Sequence, residues 1–400
     1  MRTRAALVLA FAALAGGFAL HPALGRRETP DERGAPPAAL PRLEIVAPIA
    51  LTQLPAGVPV RLAAALSDPE DAKHADLVRW RSSRDGALGE GIELRAPLST
   101  GIHTLTAELP DGAGAAHASS LEVEVTAGSY TLLTAGDIAS CTSEGDEATA
   151  ALLDRRFGTV LTLGDNAYRS GSLVEFQRCY APTWGRHKAR TRPALGNHEY
   201  RTEGAGGHFA YFGAAAGEPG QGWYGFDLGS WRVVVLNSNC REAGGCKRSS
   251  PQARWLAAEL AAHPRACTLA AWHHPRFSSG SKHGSIDKLS DLYAIFHEHG
   301  GDVVLSGHDH NYERFAQQDA AGRADPGAPR QFVVGTGGGS QRKMGGTVAN
   351  SVASAGGIYG VLALTLRERS YDWEFLPAAG YTFRDAGRAE CVGPLAGAGS

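Results

Sequence analysis

The chain has 400 residues, 43% of them hydrophobic, so it can bury a substantial core, and its length predicts two or three globular domains. The chain has 39 basic and 41 acidic residues, so its formal net charge is -2. This balance excludes a general electrostatic attraction to nucleic acid or to an anionic membrane, and we expect no nucleic acid as a structural partner.

The first 25 residues have the features of a secretory signal peptide. Met1-Arg-Thr-Arg precedes an apolar run over residues 5–20, and the small residues Ala23 and Gly25 are spaced as in a cleavage site. The run is shorter than the roughly 20 residues that a membrane span needs, although an uncleaved anchor is the alternative. We therefore expect a secreted or periplasmic protein, cleaved near Gly25, with no membrane span in its mature form.

Residues 26–42 are predicted to be an exposed linker, and residues 43–127 a small all-β domain. The linker is rich in Pro, Ala, Arg and Glu and has no hydrophobic periodicity. After it, short apolar runs alternate with turn signals such as Asp85-Gly86, which is the pattern of a β-sandwich with Trp80 in its core. Strands are predicted over residues 43–46, 58–66, 77–80, 92–94, 105–109 and 121–125.

The sequence around Trp80 and the His103-Thr-Leu-Thr-Ala run resemble the Ig-like modules found beside bacterial exported enzymes. The resemblance implies an Ig-like sandwich. A passive spacer is the expected role of this domain, and contact with a cell surface or a carbohydrate is the alternative.

From residue 128 to 392 strands and helices alternate, which indicates an α/β domain. Pro251 follows a serine and fits the first position of a helix, and Gly300-Gly301 ends another. Strands are predicted over residues 131–134, 159–163, 267–272, 302–306 and 331–334, and helices over 148–157, 251–262 and 285–299.

All six cysteines lie in this second domain. An even count in an exported chain favours disulfides, and the absence of a C-x-x-C pair argues against a thiolate metal site. Six cysteines allow many connectivities. The preferred pairs are Cys141 with Cys179 and Cys240 with Cys246. The remaining two cysteines are Cys267 and Cys391.

Five short polar motifs directly follow predicted strands of the α/β domain. Each alone has an ordinary explanation, such as a turn or a helix cap. Because ligands bind beyond the carboxyl ends of strands in α/β folds, the five together predict one shared metal site. The motifs are Gly136-Asp137, Gly164-Asp165-Asn-Ala-Tyr168, Gly196-Asn197-His198-Glu199, Trp272-His273-His274-Pro275 and Gly307-His308-Asp-His310.

In this order the motifs resemble those of the metallophosphoesterase (calcineurin-like) superfamily, and in particular of its purple acid phosphatase branch. The resemblance covers residues 130–376. The general superfamily has a histidine two residues after the first aspartate, but Ile138 and Ala139 follow Asp137 here, and Tyr168 stands three residues after Asp165. Both departures are typical of the purple branch. The resemblance implies two packed β-sheets flanked by helices.

The candidate ligands form two sets that share Asp165, so this carboxylate is the predicted bridge of a two-metal site. The first set is hard and anionic, which suits Fe(III): Asp137, Asp165, Tyr168 and His310. The second set offers two imidazoles and an amide oxygen, which suit Zn(II), Mn(II) or Fe(II): Asp165, Asn197, His273 and His308. His274 competes with His273 for one position, and the H-x-P pattern of the purple branch favours His273.

Two such ions would activate water as hydroxide and polarise phosphoryl oxygens, so we expect hydrolysis of small phosphate monoesters. The leaving alkoxide needs a proton. The resemblance implies His198 for this role, and spacing adds His283 as a second candidate. Arg169, Arg276 and Arg314 lie near the motifs, but loop arginines are usually solvated or paired with surface carboxylates.

Two other functions stay open. A phosphodiesterase or nucleotidase would use the same metal centre, because the motifs fix the metal chemistry and leave the substrate undefined. A surface-binding protein with a decayed phosphatase domain is the other alternative, against which the intact ligand set argues. The run Gly335-Thr-Gly-Gly-Gly339 lacks the Walker lysine, and we expect it to let the backbone approach the metal-binding loops.

Overall fold

The computed structural model describes residues 43–67, 71–110 and 116–393. The predicted signal peptide and linker, residues 1–42, lie outside the described residues. Within these ranges, no helix has the length and hydrophobicity that a bilayer crossing requires.

Two small sheets enclose one hydrophobic core in the first part of the described chain. Leu62 of one sheet packs with Trp80, Leu105 and Val123 of the other, and all four are fully buried, which confirms Trp80 as a core residue. The first sheet has the order β1 (Leu43–Ala47), β3 (Val60–Leu66), β6 (Glu93–Ala96), and the second has the order β2 (Gln53–Pro55), β8 (Ala116–Thr126), β7 (Gly101–Pro110), β4 (Arg79–Ser82), β5 (Gly86–Glu90). A 3-10 helix spans Asp71–Leu77.

Two larger sheets follow. The first has six strands, of which three neighbours are parallel, in the order β11 (Thr191–Ala194), β10 (Thr159–Leu163), β9 (Tyr130–Ala135), β19 (Gly360–Leu366), β20 (Ser370–Pro377), β21 (Ala386–Glu390). The second has seven strands with a parallel centre, in the order β12 (Tyr224–Leu228), β13 (Trp231–Val235), β14 (Thr268–Ala271), β15 (Val303–Ser306), β17 (Arg330–Val334), β16 (Asn311–Phe315), β18 (Ser351–Gly356).

These two sheets share a core and are flanked by helices, as predicted. Leu161 of β10 belongs to the same buried cluster as Val233, Leu269 and Leu305 of the seven-stranded sheet. Helices α4 (Pro251–Ala262) and α5 (Ser290–Glu298) bury their apolar residues in a second cluster with other residues of that sheet, and α1 (Gly145–Leu153) packs on β19. The remaining helices are α2 (Leu173–Glu175), α3 (Gly206–Phe212) and short 3-10 or π turns over Phe176–Tyr180, Trp184–Arg190, Glu199–Arg201, Glu203–Ala205, Gly213–Ala216 and Asp287–Leu289.

Helix α4 has the predicted bounds, because the Ser250 hydroxyl accepts a hydrogen bond from the Ala253 amide (3.3 Å) and Pro251 begins the helix. Helix α5 begins five residues later than predicted. The Ser285 hydroxyl does not cap it, since this hydroxyl bonds the amide and the carbonyl of Ser278 and so closes the loop before the helix.

The smaller sheets are hydrogen-bonded to the larger ones. The Leu51 carbonyl accepts from the Gly158 amide (2.9 Å) and from the Arg190 guanidinium (3.2 Å), and the Gln53 side chain accepts from the Thr131 amide (2.6 Å). These contacts join Leu51 and the first residue of β2 to the beginnings of β9 and β10.

Three disulfides are formed, and no described cysteine is free. Cys141–Cys179 and Cys240–Cys246 confirm the predicted pairs. The third, Cys267–Cys391, joins residues 124 positions apart and fixes the chain after β21 to the residue before β14.

Candidate metal centre

The five motifs converge because each lies where a strand ends. Those after β9, β10 and β11 come from the six-stranded sheet, and those after β14 and β15 come from the seven-stranded sheet. The Gly307 amide donates to the His273 carbonyl (2.9 Å), and the Asp137 amide donates to the Gly164 carbonyl (3.0 Å). The strand ends of both sheets therefore form one surface.

The four donors predicted for the first ion surround the Tyr168 hydroxyl. This oxygen lies 2.9 Å from Asp137 Oδ1, 3.3 Å from Asp165 Oδ2 and 3.2 Å from His310 Nε2. The same nitrogen of His310 lies 3.2 Å from Asp137 Oδ1. Three oxygens and one imidazole nitrogen thus face one small volume.

The donors predicted for the second ion surround His273 Nε2. This nitrogen lies 3.2 Å from Asn197 Oδ1, 3.4 Å from Asp165 Oδ1 and 3.2 Å from His308 Nδ1. Asp165 therefore presents one carboxylate oxygen to each group of donors, which is the arrangement that a bridging ligand needs.

His273 and His274 point to different partners. The Nδ1 of His273 donates to the Leu163 carbonyl (2.8 Å), so its Nε2 faces the carboxylates. Ser238 Oγ accepts a hydrogen bond from the backbone amide of His274 (2.9 Å) and lies 2.8 Å from His274 Nδ1. Nitrogens of both histidines and of His308 lie within 4.8 Å of one another, but among the described residues only His273 also groups with Asp137 and Asp165. The geometry favours His273 as the ligand.

The charges of the site suit cations. Asp137 and Asp165 are 0% and 2% exposed, and within the described ranges no lysine or arginine forms an ion pair with either. A buried carboxylate is costly unless it is paired or coordinates a metal. Burial opposes ionisation, but nearby histidines hold the pKa of both aspartates below the usual range, His310 for Asp137 and His273 for Asp165.

The tyrosine and histidines respond to the same charges. Burial and the carboxylates of Asp137 and Asp165 raise the pKa of Tyr168 well above its usual value, so a phenolate needs a strongly charged cation beside it. Burial opposes protonation of His273, but Asp165 raises its pKa to about 9. Burial lowers the pKa of His308, and His273 adds to this effect. The donor set therefore fits two metal ions.

Three of the candidate ligands have left-handed backbone conformations. The φ angles are 59° at Asp137, 50° at Asp165 and 70° at His308, and each residue follows a glycine at a strand end. Such conformations are uncommon for residues with a side chain and concentrate at functional sites. The backbone is held by tertiary bonds, such as that from the His308 amide to Asp137 Oδ2 (2.7 Å).

Glu199 organises two of the motif loops, a role that was missed in the sequence although the residue was noted in its motif. Its buried carboxylate accepts hydrogen bonds from the backbone amides of Asp165 (3.0 Å), Asn166 (2.8 Å) and Gly196 (2.7 Å). Burial and the charge of Asp165 raise its pKa to about 7. A Cβ on Gly196 would lie 2.1 Å from the Asp165 nitrogen, so only glycine fits there.

Asp309 was also missed, as was Glu313. Asp309 accepts from the Ser278 hydroxyl (2.6 Å) and the Gly284 amide (3.0 Å), and Glu313 accepts from the Ser279 amide (2.7 Å). They fix the loop over residues 278–285, which carries His283. Their signal in the sequence is only their position, since Asp309 lies within the fifth motif and Glu313 follows it.

Both candidate acid–base histidines adjoin the ligands. His198 Nδ1 donates to the Arg169 carbonyl (2.6 Å), and its Nε2 lies 3.8 Å from Asp165 Oδ2. Burial lowers the pKa of His198, partly offset by Asp165. His283 is exposed, and the centre of its ring lies 4.1 Å from that of His308.

The glycine run after β17 lies against the motif loops, as expected. A Cβ on Gly335 would lie 2.2 Å from the Asp309 carbonyl oxygen, and one on Gly339 would lie 2.9 Å from the Asp137 carbonyl oxygen. Close backbone approach therefore explains this run.

Two of the three loop arginines are engaged elsewhere. Arg276 pairs with Asp287 (2.9 Å), and Arg314 pairs with Asp385 (2.7 Å). Arg169 lines a cleft of about 460 Å³ beside Tyr168 and His198.

The sequence and the fold are both similar to those of known proteins. Residues 130–312 match the family model described as calcineurin-like phosphoesterase. Purple acid phosphatase 15 of Arabidopsis thaliana is 28% identical over 139 residues, which cover 34% of this chain and 25% of that protein. Purple acid phosphatase 21 of the same plant is 32% identical over 121 residues, 29% of this chain and 26% of that protein. The chain thus spans about a quarter of the length of the curated relatives it matches.

A solved structure of a purple acid phosphatase from seeds of yellow lupin (Lupinus luteus) is similar with a TM-score of 0.58. The sequence identity is 14%, and the match covers 88% of this chain and 74% of the lupin chain. This likeness establishes a common fold.

Proposed function

We propose that the chain, whose residues 130–312 match the calcineurin-like phosphoesterase family model, is a secreted dinuclear-metal phosphoesterase that hydrolyses phosphate monoesters. The observation that carries the proposal is the position of Asp165, whose two carboxylate oxygens face two separate groups of donors. A protein that held a single ion would not need this arrangement.

The donor chemistry assigns a different ion to each group. We assign Fe(III) to the group with the phenol and two carboxylates, and Zn(II), Mn(II) or Fe(II) to the group with two imidazoles and an amide. When bound, the two ions polarise the phosphoryl oxygens and lower the pKa of water. The groups are Asp137, Asp165, Tyr168 and His310 for the first ion, and Asp165, Asn197, His273 and His308 for the second.

The chain itself supplies orientation and a proton. The Glu199 carboxylate accepts hydrogen bonds from the backbone amides of Asp165 and Asn166 and so fixes the position of the bridging carboxylate. His198 Nδ1 donates its hydrogen to a carbonyl, so Nε2 carries a proton only when the ring is an imidazolium; this cation gives the Nε2 proton to the leaving oxygen as the bond from phosphorus to that oxygen breaks, and the ring becomes neutral. His283, over the ring of His308, is the second candidate for this role.

Secretion is supported by two observations. The first 25 residues have the pattern of a signal peptide, and the three disulfides are typical of oxidising compartments. N-terminal sequencing of the protein from its host should find a mature form that lacks roughly the first 25 residues.

A phosphodiesterase or nucleotidase is the second candidate function. The cleft beside Tyr168, about 460 Å³ in volume, has room for a leaving group larger than a phosphoryl group. A surface-binding protein with a decayed phosphatase domain has less support, because all seven candidate ligands are present and face one another.

The test measures metal content and hydrolysis on the same purified protein. We expect two ions per chain, with faster hydrolysis of 4-nitrophenyl phosphate than of bis(4-nitrophenyl) phosphate. Asp165→Ala should abolish both metal binding and hydrolysis, whereas the control Asp76→Ala, at an exposed carboxylate of the 3-10 helix Asp71–Leu77, should change neither. Faster diester hydrolysis would favour the second candidate, and an inactive, metal-free wild type would refute the proposal.

A further inference from the structure

The cleft beside the first donor group is strongly basic. Its volume of about 460 Å³ lies within the range of roughly 300–1,000 Å³ that is usual for small-molecule sites. Tyr168, His198 and His310 form its inner wall. None of its wall residues is acidic, and four carry a positive charge: Arg169, Arg201, Lys282 and Arg342.

Among the described residues, these four charges have no carboxylate partner. In the part of the chain that the structure describes, none of them forms an ion pair, in contrast to the nearby Arg276, which pairs with Asp287. Arg201 donates to the Arg169 carbonyl, and Arg342 donates to the His308 carbonyl, both at 3.2 Å. Backbone carbonyls thus position two of the guanidinium groups without neutralising them.

The local charge exceeds what a single phosphoryl group needs. The chain as a whole has a net charge of -2, so the basic cleft is a local feature. Like charges around a cleft repel one another and attract anions. The metal ions of the proposed function would already compensate the scissile phosphoryl group, which leaves the four cations of the wall for a second anionic group.

We propose that this basic cleft is a subsite for a second phosphate, and that the preferred substrates are phosphomonoesters carrying a further phosphate group on a short leaving group. The proposal rests on the proposed function. Arginine binds phosphate through two parallel N–H donors and lysine binds it as a point charge, so the wall offers both modes of recognition. Only the phosphate at the metal ligands is hydrolysed, and the second one holds the leaving group in place.

The test compares propyl phosphate with propane-1,3-diyl bisphosphate, which have similar alkyl leaving groups. On the metal-loaded full chain, kcat/KM for the bisphosphate should be at least about tenfold higher, which is the low end for a charged hydrogen bond. This preference should decrease as ionic strength rises, because three of the four charged wall residues, Arg169, Arg201 and Lys282, are exposed. Arg201→Gln and Lys282→Gln should each reduce the preference severalfold, whereas Arg155→Gln, at an exposed arginine outside the cleft, should leave it unchanged.

The outcomes separate this inference from the proposed function. Hydrolysis of both substrates with equal kcat/KM, or an equal loss in the Arg155→Gln control, would refute the subsite and leave the phosphatase intact. If neither substrate is hydrolysed, the proposed function fails, and calorimetric titration with inorganic phosphate and pyrophosphate decides the subsite. Tighter pyrophosphate binding that weakens in Arg201→Gln supports it, and equal affinities overturn it.

Discussion

His198→Ala tests the assignment of a proton donor beside the metal ligands. The side chain is 17% exposed and makes three contacts: the bond from Nδ1 to the Arg169 carbonyl, an edge contact with Tyr168 at 4.5 Å between ring centres, and the approach of Nε2 to Asp165 Oδ2 at 3.8 Å. Losing these contacts should reduce the free energy of unfolding by about 1 kcal/mol, so the variant should fold. Since no donor group contains His198, both metal ions should remain.

Turnover should fall much further than stability. A positioned proton donor typically contributes about 10²- to 10⁴-fold, so kcat of His198→Ala on an alkyl phosphate should fall by that factor. Nitrophenolate leaves without much help, whereas an alkoxide needs its charge neutralised. The loss should therefore be much smaller on 4-nitrophenyl phosphate than on propyl phosphate.

The assay measures kcat on both substrates and metal content for wild type, His198→Ala and a matched control. His263→Ala is suitable, because His263 lies at the end of α4, is 41% exposed and bonds only within its own helix. The reasoning is wrong if His198→Ala loses a metal ion or slows both substrates equally. The His198 side chain would then orient the ligands, through the contact of its Nε2 with Asp165 Oδ2 (3.8 Å).

Four further predictions address the metal centre and the fold. Tyr168→Phe should abolish visible absorbance of the oxidised protein if the phenolate binds Fe(III), and an active wild type with only colourless divalent ions would contradict that assignment. Asp165→Ala should lose both ions together in metal analysis, whereas loss of one ion would show that the residue does not bridge. Chelation should lower the Tm of the wild type and leave that of Asp165→Ala unchanged, because ions that bind only the folded state stabilise it by up to about 4 kcal/mol at a thousandfold excess over Kd. Burial raises the pKa of Asp302 to about 6, so its contribution to stability is full below about pH 4 and is lost as the pH rises through 6. Asp302→Asn should flatten this part of the profile of unfolding free energy against pH, and an unchanged profile would contradict the assignment.

The sequence predicted the site because its strands are short, apolar and bounded by glycines. The run 159–163 matches β10 at both ends, so the motif that starts at Gly164 was correctly placed at a strand end. Helix α4 was also predictable, since Ser250 and Pro251 are local signals that need no tertiary information.

The supporting carboxylates were not predictable in the same way. Glu199 accepts hydrogen bonds from the amides of Asn166 and Gly196, which belong to two separate loops, and Asp309 accepts one from the loop over residues 278–285. Such bonds depend on which strands become neighbours. The late start of α5 has the same origin, because Ser285 bonds Ser278 across the loop instead of capping the helix.

The left-handed residues connect the fold to the chemistry. Only six described residues other than glycine have positive φ, and three of them are Asp137, Asp165 and His308. Each such conformation costs on the order of 1 kcal/mol or more, yet it turns the chain sharply at the end of a strand and directs the side chain across the edge of the sheet. Two carboxylates aimed at each other in this way also repel. The strand ladders and Glu199 hold the loops against both costs, so the fold itself brings the donors close together.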